Sequence, residues 1–197
     1  APPGSRVPIE VRIDVRDPFT SYRRAREGPG GVFLETTGGQ SGWGYFATEP
    51  VDRLTVSAAA VVADRTASAA TTAMGDYRRE TPSLAALDGL LSGERLVRGP
   101  CSVPYPCGAF GWLSYDIARE LESLPGEAVD DRGLPRLQVG VFDCVAAWEE
   151  PCDESVRLHV TCCPKLPETE PVDESDLDSI YDRGLDRATE LAAAAVD

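Results

Sequence analysis

The chain has 197 residues, 42% of them hydrophobic, enough to supply the core of one large domain or of a domain with part of a second. Its 33 acidic side chains outnumber 19 basic ones, and the formal charge of −14 argues against nucleic acid and against an anionic membrane surface as partners. No apolar run reaches the roughly 18 residues of a spanning helix, so no membrane segment is expected.

Residues 7 to 15, VPIEVRIDV, alternate strictly and predict a half-buried strand. DPFTSYRRARE opens a short helix, with Asp17 as N-cap and Pro18 at the first helical position. EGPGG ends that helix and leads into a strand over 32–36. A glycine turn, a strand over 43–48 and another in RLTVSA follow, and this succession predicts an antiparallel sheet. Residues 59 to 82 have weak periodicity and are expected to form an exposed connection with at most one poor strand. PSLAALDGLL sets Leu84, Leu87, Leu90 and Leu91 on one face of a helix begun by Ser83 or Thr81.

RGPCSVPYPC is a loop. GAFGWLSYDIARELESLP predicts a small-residue strand from Gly108 to Leu113, then a helix from about Ser114 to Leu124. LPRLQVGVFDCVAAWE and SVRLHVTCC read as paired central strands turning near EPCDE. Pro164 to Asp173 is a proline- and acid-rich linker. Beyond it Leu177, Ile180, Tyr181, Leu185, Ala188 and Leu191 follow helical spacing, and Asp173, Glu174, Asp176 and Asp178 suit the positive end of that helix. The class is α+β, largely antiparallel strands with packed helices. The organisation is a domain over 1–163, a linker over 164–173 and a helix over 174–197.

Lys165 is the only lysine. A surface so poor in lysine and rich in carboxylates, around an ordinary core, reads as adaptation to high salt. The N-terminus lacks an apolar signal core and a starting methionine, and the chain ends in AAAAVD without a helix cap. A segment of a longer, cytoplasmic protein is expected.

No catalytic set emerges from these residues. The six cysteines are not spaced like zinc ligands and read as small buried hydrophobes. His159 is the only histidine and lies within a strand pattern, where a packed side chain is expected rather than a base. TTGGQSGWG does not make a phosphate loop, since no lysine stands near it.

Four segments occur in an informative order: Leu34-Glu35-Thr36, Trp43 to Pro50, Gly108 to Asp116 with Arg119, and Asp143 to Glu149. Together they resemble the N-terminal domain of component I of the chorismate-amidating enzymes, which include anthranilate synthase and aminodeoxychorismate synthase. The resemblance implies the N-terminal half of that fold: antiparallel sheets in a sandwich-like arrangement with packed helices. It also implies a catalytic half beyond residue 197 that binds chorismate and Mg²⁺, and a glutamine amidotransferase subunit as the source of ammonia.

No catalytic residue is expected within this segment. Its own site, by resemblance, is a pocket for an aromatic amino acid such as tryptophan, lined by Leu34, Glu35 and Thr36, with Trp43 beside it. A carboxylate and a hydroxyl can hold an ammonium group while apolar walls take an indole. The family's arginine stands here as Gly42, and its following tyrosine or phenylalanine as Trp43. The short TGGQSG turn and the missing arginine favour aminodeoxychorismate synthase, in the route to p-aminobenzoate and folate. Anthranilate synthase, with a tryptophan feedback pocket, is the alternative, and a stand-alone amino-acid sensor is the alternative of another class.

Overall fold

The computed structural model describes residues 1–36, 39–56, 60–64, 77–78, 83–99, 101–123, 125, 132–152, 154–168 and 173–196. In chain order the elements are β1 (Ser5–Arg6), β2 (Ile9–Val15), α1 (Pro18–Ala25), β3 (Val32–Leu34), β4 (Gly42–Ala47), β5 (Asp52–Val56), β6 (Ala60–Asp64) and β7 (Tyr77–Arg78). Then come α2 (Ser83–Leu91), β8 (Arg95–Leu96), β9 (Gly108–Leu113), a 3-10 helix (Tyr115–Glu120), β10 (Leu137–Phe142), β11 (Cys144–Glu150), β12 (Val156–Cys162) and α3 (Glu174–Ala195). The class is α+β, as the sequence predicts.

The chain divides into two compact units. The first comprises Ala1–Pro50, Gly93–Gly108 and Phe142–Asp197. Its sheet has the order β2-β12-β11-β4-β3 and is antiparallel throughout. One face carries Val15, Phe46, Trp148, Leu158 and Val160 and is covered by α1 and α3. Asp17 caps α1 as expected: its carboxylate accepts from the Thr20 amide at 2.9 Å. On the opposite face the 93–108 segment adds β8, which runs parallel to β1, and places Tyr105 edge-on to Tyr45 at 6.4 Å.

The face that α3 buries matches the expected one at Ile180 and Ala188 but is shifted toward small residues. Ile180, Gly184, Ala188, Ala192 and Ala195 are buried, whereas Leu177 and Tyr181 are exposed. The reason is close approach. A Cβ on Gly184 would lie 2.5 Å from Ile9 Cδ1 and 3.0 Å from Pro164 Cγ, so only small side chains fit beneath the helix. The residues before α3 are tied down as well, because the Leu166 amide donates to the Ser5 carbonyl at 2.8 Å and the Gly4 amide to that of Pro167 at 2.8 Å.

The second unit comprises Val51–Ser92 and Ala109–Val141. Its sheet has the order β7-β6-β5-β10-β9, and its core gathers Leu54, Val56, Ala86, Leu90, Leu137 and Val139 around α2. Two strands, β6 and β7, fall where one poor strand at most is expected; the rest of 59–82 lies outside the described residues, as does Thr81. Ser83 sits inside α2 and is buried. The helix expected over 114–124 is a 3-10 helix of six residues, and its first residue Tyr115 and the Leu121 that follows it are exposed. With so little apolar surface buried, tertiary packing does not extend it. The long strand run is interrupted at Asp143, where the chain passes from the second unit's sheet to the first.

Candidate functional site

The β3–β4 hairpin and the end of β11 bring the sequence-predicted site residues into one region of the first unit. Leu34 ends β3 opposite Tyr45 and is 44% exposed; Glu35 beside it is exposed too. Thr36 is held firmly. Its amide donates to Glu150 Oε2 at 2.9 Å, and its hydroxyl bonds both that oxygen and the Gln40 carbonyl.

The second carboxylate oxygen of Glu150 accepts from Trp148 Nε1 at 3.0 Å. Glu150 therefore joins the hairpin to a buried indole. That indole needs the glycine opposite it: a Cβ on Gly44, the ladder partner of Trp148, would fall 2.1 Å from the ring. Phe33 and Phe46 flank the ring at centroid distances of 5.4 and 6.2 Å. Sequence reasoning missed both Glu150 and Trp148. A glycine inside an aromatic strand was the available signal, since it marks a close approach.

Gly42 is adjacent to Thr36, and a Cβ there would meet Thr36 Cγ2 at 2.7 Å. Trp43, one residue on, projects to the other face of the sheet by strand alternation. There its ring lies edge-on to His159 at 5.7 Å. The structure therefore gathers Thr36, Gly42, Glu150 and Trp148 on one side, and leaves the Trp43 side chain on the other.

The cluster around His159 superficially suggests a catalytic triad. His159 Nδ1 is 2.8 Å from Glu10 Oε1 and 3.2 Å from Ser102 Oγ. Acid and serine meet the same ring nitrogen, whereas triad chemistry needs them on opposite nitrogens. Ser102 Oγ also lies 2.9 and 3.0 Å from the two Glu10 oxygens. Burial pushes the Glu10 carboxyl up, but bonds from His159, Arg12 and Ser102 outweigh it and hold the group at about 2. This is a packed polar network, as expected for a strand histidine. Among the described residues no group of three or more His, Cys, Asp or Glu side chains is arranged to hold a metal ion, and no helix is long and apolar enough to cross a membrane.

Comparison with known proteins gives the family. Two proteins of Haloarcula marismortui, anthranilate synthase component 1 3 and component 1 1, are 55% and 53% identical to this chain over 98% and 99% of its length. Anthranilate synthase component 1 of Mycolicibacterium smegmatis is 31% identical over 72% of the chain. These alignments cover 34%, 35% and 27% of the relatives, so the chain spans about a third of the length of the curated proteins it matches. No family model matches.

The chain falls among the component I proteins of the chorismate-amidating enzymes. It belongs to the anthranilate synthase component I family. The relatives favour anthranilate synthase, the alternative reading, over aminodeoxychorismate synthase. The short turn and Gly42, which favour the latter in the sequence, are thus compatible with relatives named for the former.

Proposed function

We propose that the protein containing this segment is the chorismate-aminating subunit of anthranilate synthase, which produces anthranilate for tryptophan biosynthesis. The 55% identity over 98% of the chain to a protein of that name carries the reading. The segment is its N-terminal domain, and chorismate and Mg²⁺ are bound by a catalytic half outside these residues. A glutamine amidotransferase, component II, supplies ammonia, and the complex works in the cytoplasm. Full-length protein given chorismate, Mg²⁺ and ammonia is expected to form anthranilate, read by product chromatography. Formation of 4-amino-4-deoxychorismate instead would overturn this assignment in favour of aminodeoxychorismate synthase.

In the same proposal the segment contributes one wall of an aromatic amino-acid pocket, from Leu34, Glu35 and Thr36. The anchoring of Thr36 by Glu150 supports this reading, because it presents the exposed Glu35 carboxylate from a fixed backbone. Trp43 enters the pocket only if its side chain leaves the His159 face. The Thr36 hydroxyl is already committed to Glu150, and the opposite wall belongs to the catalytic half. Titration calorimetry of residues 1–197 in molar KCl is therefore expected to show no micromolar tryptophan binding. Micromolar affinity in this segment alone would favour the stand-alone sensor.

A further inference from the structure

The chain's six cysteines are unbridged, and the proposed function uses none of them. Cys144 and Cys162 are direct partners in the β11–β12 ladder. The Cys163 amide donates to the Asp143 carbonyl at 2.6 Å, which marks the adjacent position as a hydrogen-bonded pair. Pair types alternate along an antiparallel ladder, so Cys144 and Cys162 occupy a non-hydrogen-bonded position. Cα atoms at such positions lie about 4.5 Å apart with their side chains closest. That spacing lies within the roughly 4.4–6.8 Å range a disulfide spans.

Both side chains lie in the core on the sheet face that α1 and α3 cover. Cys162 is fully buried, but Cys144 lines a cavity of about 170 Å³ together with Ala25, Thr48, Arg187, Glu190 and Leu191. The cavity gives a small solute a path to one sulfur of the pair. We propose that Cys144 and Cys162 form a redox-sensitive pair that a hydroperoxide entering this cavity converts into a cross-strand disulfide.

The chemistry balances in two steps. The Cys144 thiol gives up its proton and its sulfur attacks one oxygen of the peroxide; the O–O bond breaks, the sulfenic acid forms, and the other oxygen takes up that proton and leaves as water from hydrogen peroxide or as an alcohol from an alkyl hydroperoxide. The Cys162 thiol then attacks that sulfur, the S–S bond forms and water leaves. The pair loses two electrons and two protons, and the peroxide takes them up. Cys144 Sγ lies at the cavity wall, where it donates to the Arg187 carbonyl at 3.8 Å.

Cys107 and Cys163, which are also buried, are the internal comparison. The test is peroxide treatment of the intact chain in molar KCl, then alkylation after denaturation and tryptic mapping. Cleavage at Arg157 separates the two cysteines, so the bridge appears as a linked peptide pair, and fragment ions distinguish Cys162 from Cys163. A Cys144–Cys162 link that dithiothreitol reverses, and that Cys144→Ser and Cys162→Ser each abolish, is the expected result. Complete alkylation of all six cysteines, overoxidation of Cys144 without a bridge, or prior linkage of Cys107 to Cys163 would each overturn it. The decisive readout uses the wild-type chain and does not depend on any variant folding.

Discussion

The methyl that separates threonine from serine has a definite role at position 36. In the family pattern that the sequence resembles, an arginine precedes the aromatic residue, and the counterpart of Leu34-Glu35-Thr36 is leucine–acid–serine. Here those positions are Gly42 and Thr36, and the Thr36 Cγ2 occupies the space a Cβ at 42 would enter, at 2.7 Å. Its Cβ and Oγ1 stand off at 3.8 and 3.9 Å, so the conflict is with the methyl alone. Gly42→Arg is expected to cost about 1–3 kcal/mol as an overpacked contact. Adding Thr36→Ser should recover most of that loss. Urea melts of the single and double variants test this, and equal losses in both would show that the methyl is not the obstacle. Glu10 is a second single-residue case. Held at about 2 against an ordinary value near 4.3, its carboxylate contributes stability that is fully present above about pH 4.3. That contribution disappears as pH falls through about 2. Glu10→Gln should flatten the decline of melting temperature across this window, and an unchanged slope would rule out the network as its source.

Elements with a strong local signal were legible in the sequence. β2 shows as alternation, α1 through Asp17 and Pro18, and β9 through its run of small residues between loops. The α3 helix was legible but its buried face only in part, at Ile180 and Ala188, because helical spacing rewards large apolar side chains. The close approach to Ile9 and Pro164 instead selects Gly184 and alanines. The site shows the same division. Glu35 and Thr36 stand out by motif, while Glu150 depends on a partner 114 positions away and on no local pattern. Trp43 joins them in the sequence as the counterpart of the family's aromatic residue, yet strand alternation turns its side chain to the opposite face. Another long-range tie holds α3 in place: Arg187 pairs with both oxygens of the buried Asp143, at 2.5 and 2.9 Å. Arg187→Met would leave that carboxylate without its cation. The expected loss is about 1–3 kcal/mol, below that of a fully buried pair because Arg187 is 41% exposed. A thermal melt within a few tenths of a kcal/mol of wild type would show that the pair is dispensable.

At the scale of the whole molecule, charge governs. A net −14 on 197 residues produces self-repulsion that counterions must screen. Screening shortens from about 10 Å at 0.1 M salt to about 3 Å at 1 M. The melting temperature should therefore rise between 0.1 M and 3 M KCl, and a flat profile by calorimetry would argue against salt adaptation.

The chain passes between its two units four times, at residues 50/51, 92/93, 108/109 and 141/142. For a polypeptide made from its N-terminus this sets an order of assembly. The second unit has all its strands once Val141 has left the ribosome. The first unit does not, because the middle strands of its sheet, β11 and β12, are among the last to be made. Until then β2 has no ladder partner, and Phe33 and Phe46 on the finished hairpin lack the Trp148 ring that later covers them. The nascent chain must carry an unpaired strand and exposed aromatic rings through the synthesis of its whole second unit, a period in which chaperone capture or aggregation competes with folding. Ribosome-bound chains of which residues up to Val141, and no further, have emerged should therefore be protease-resistant in the second unit and cleavable in the first.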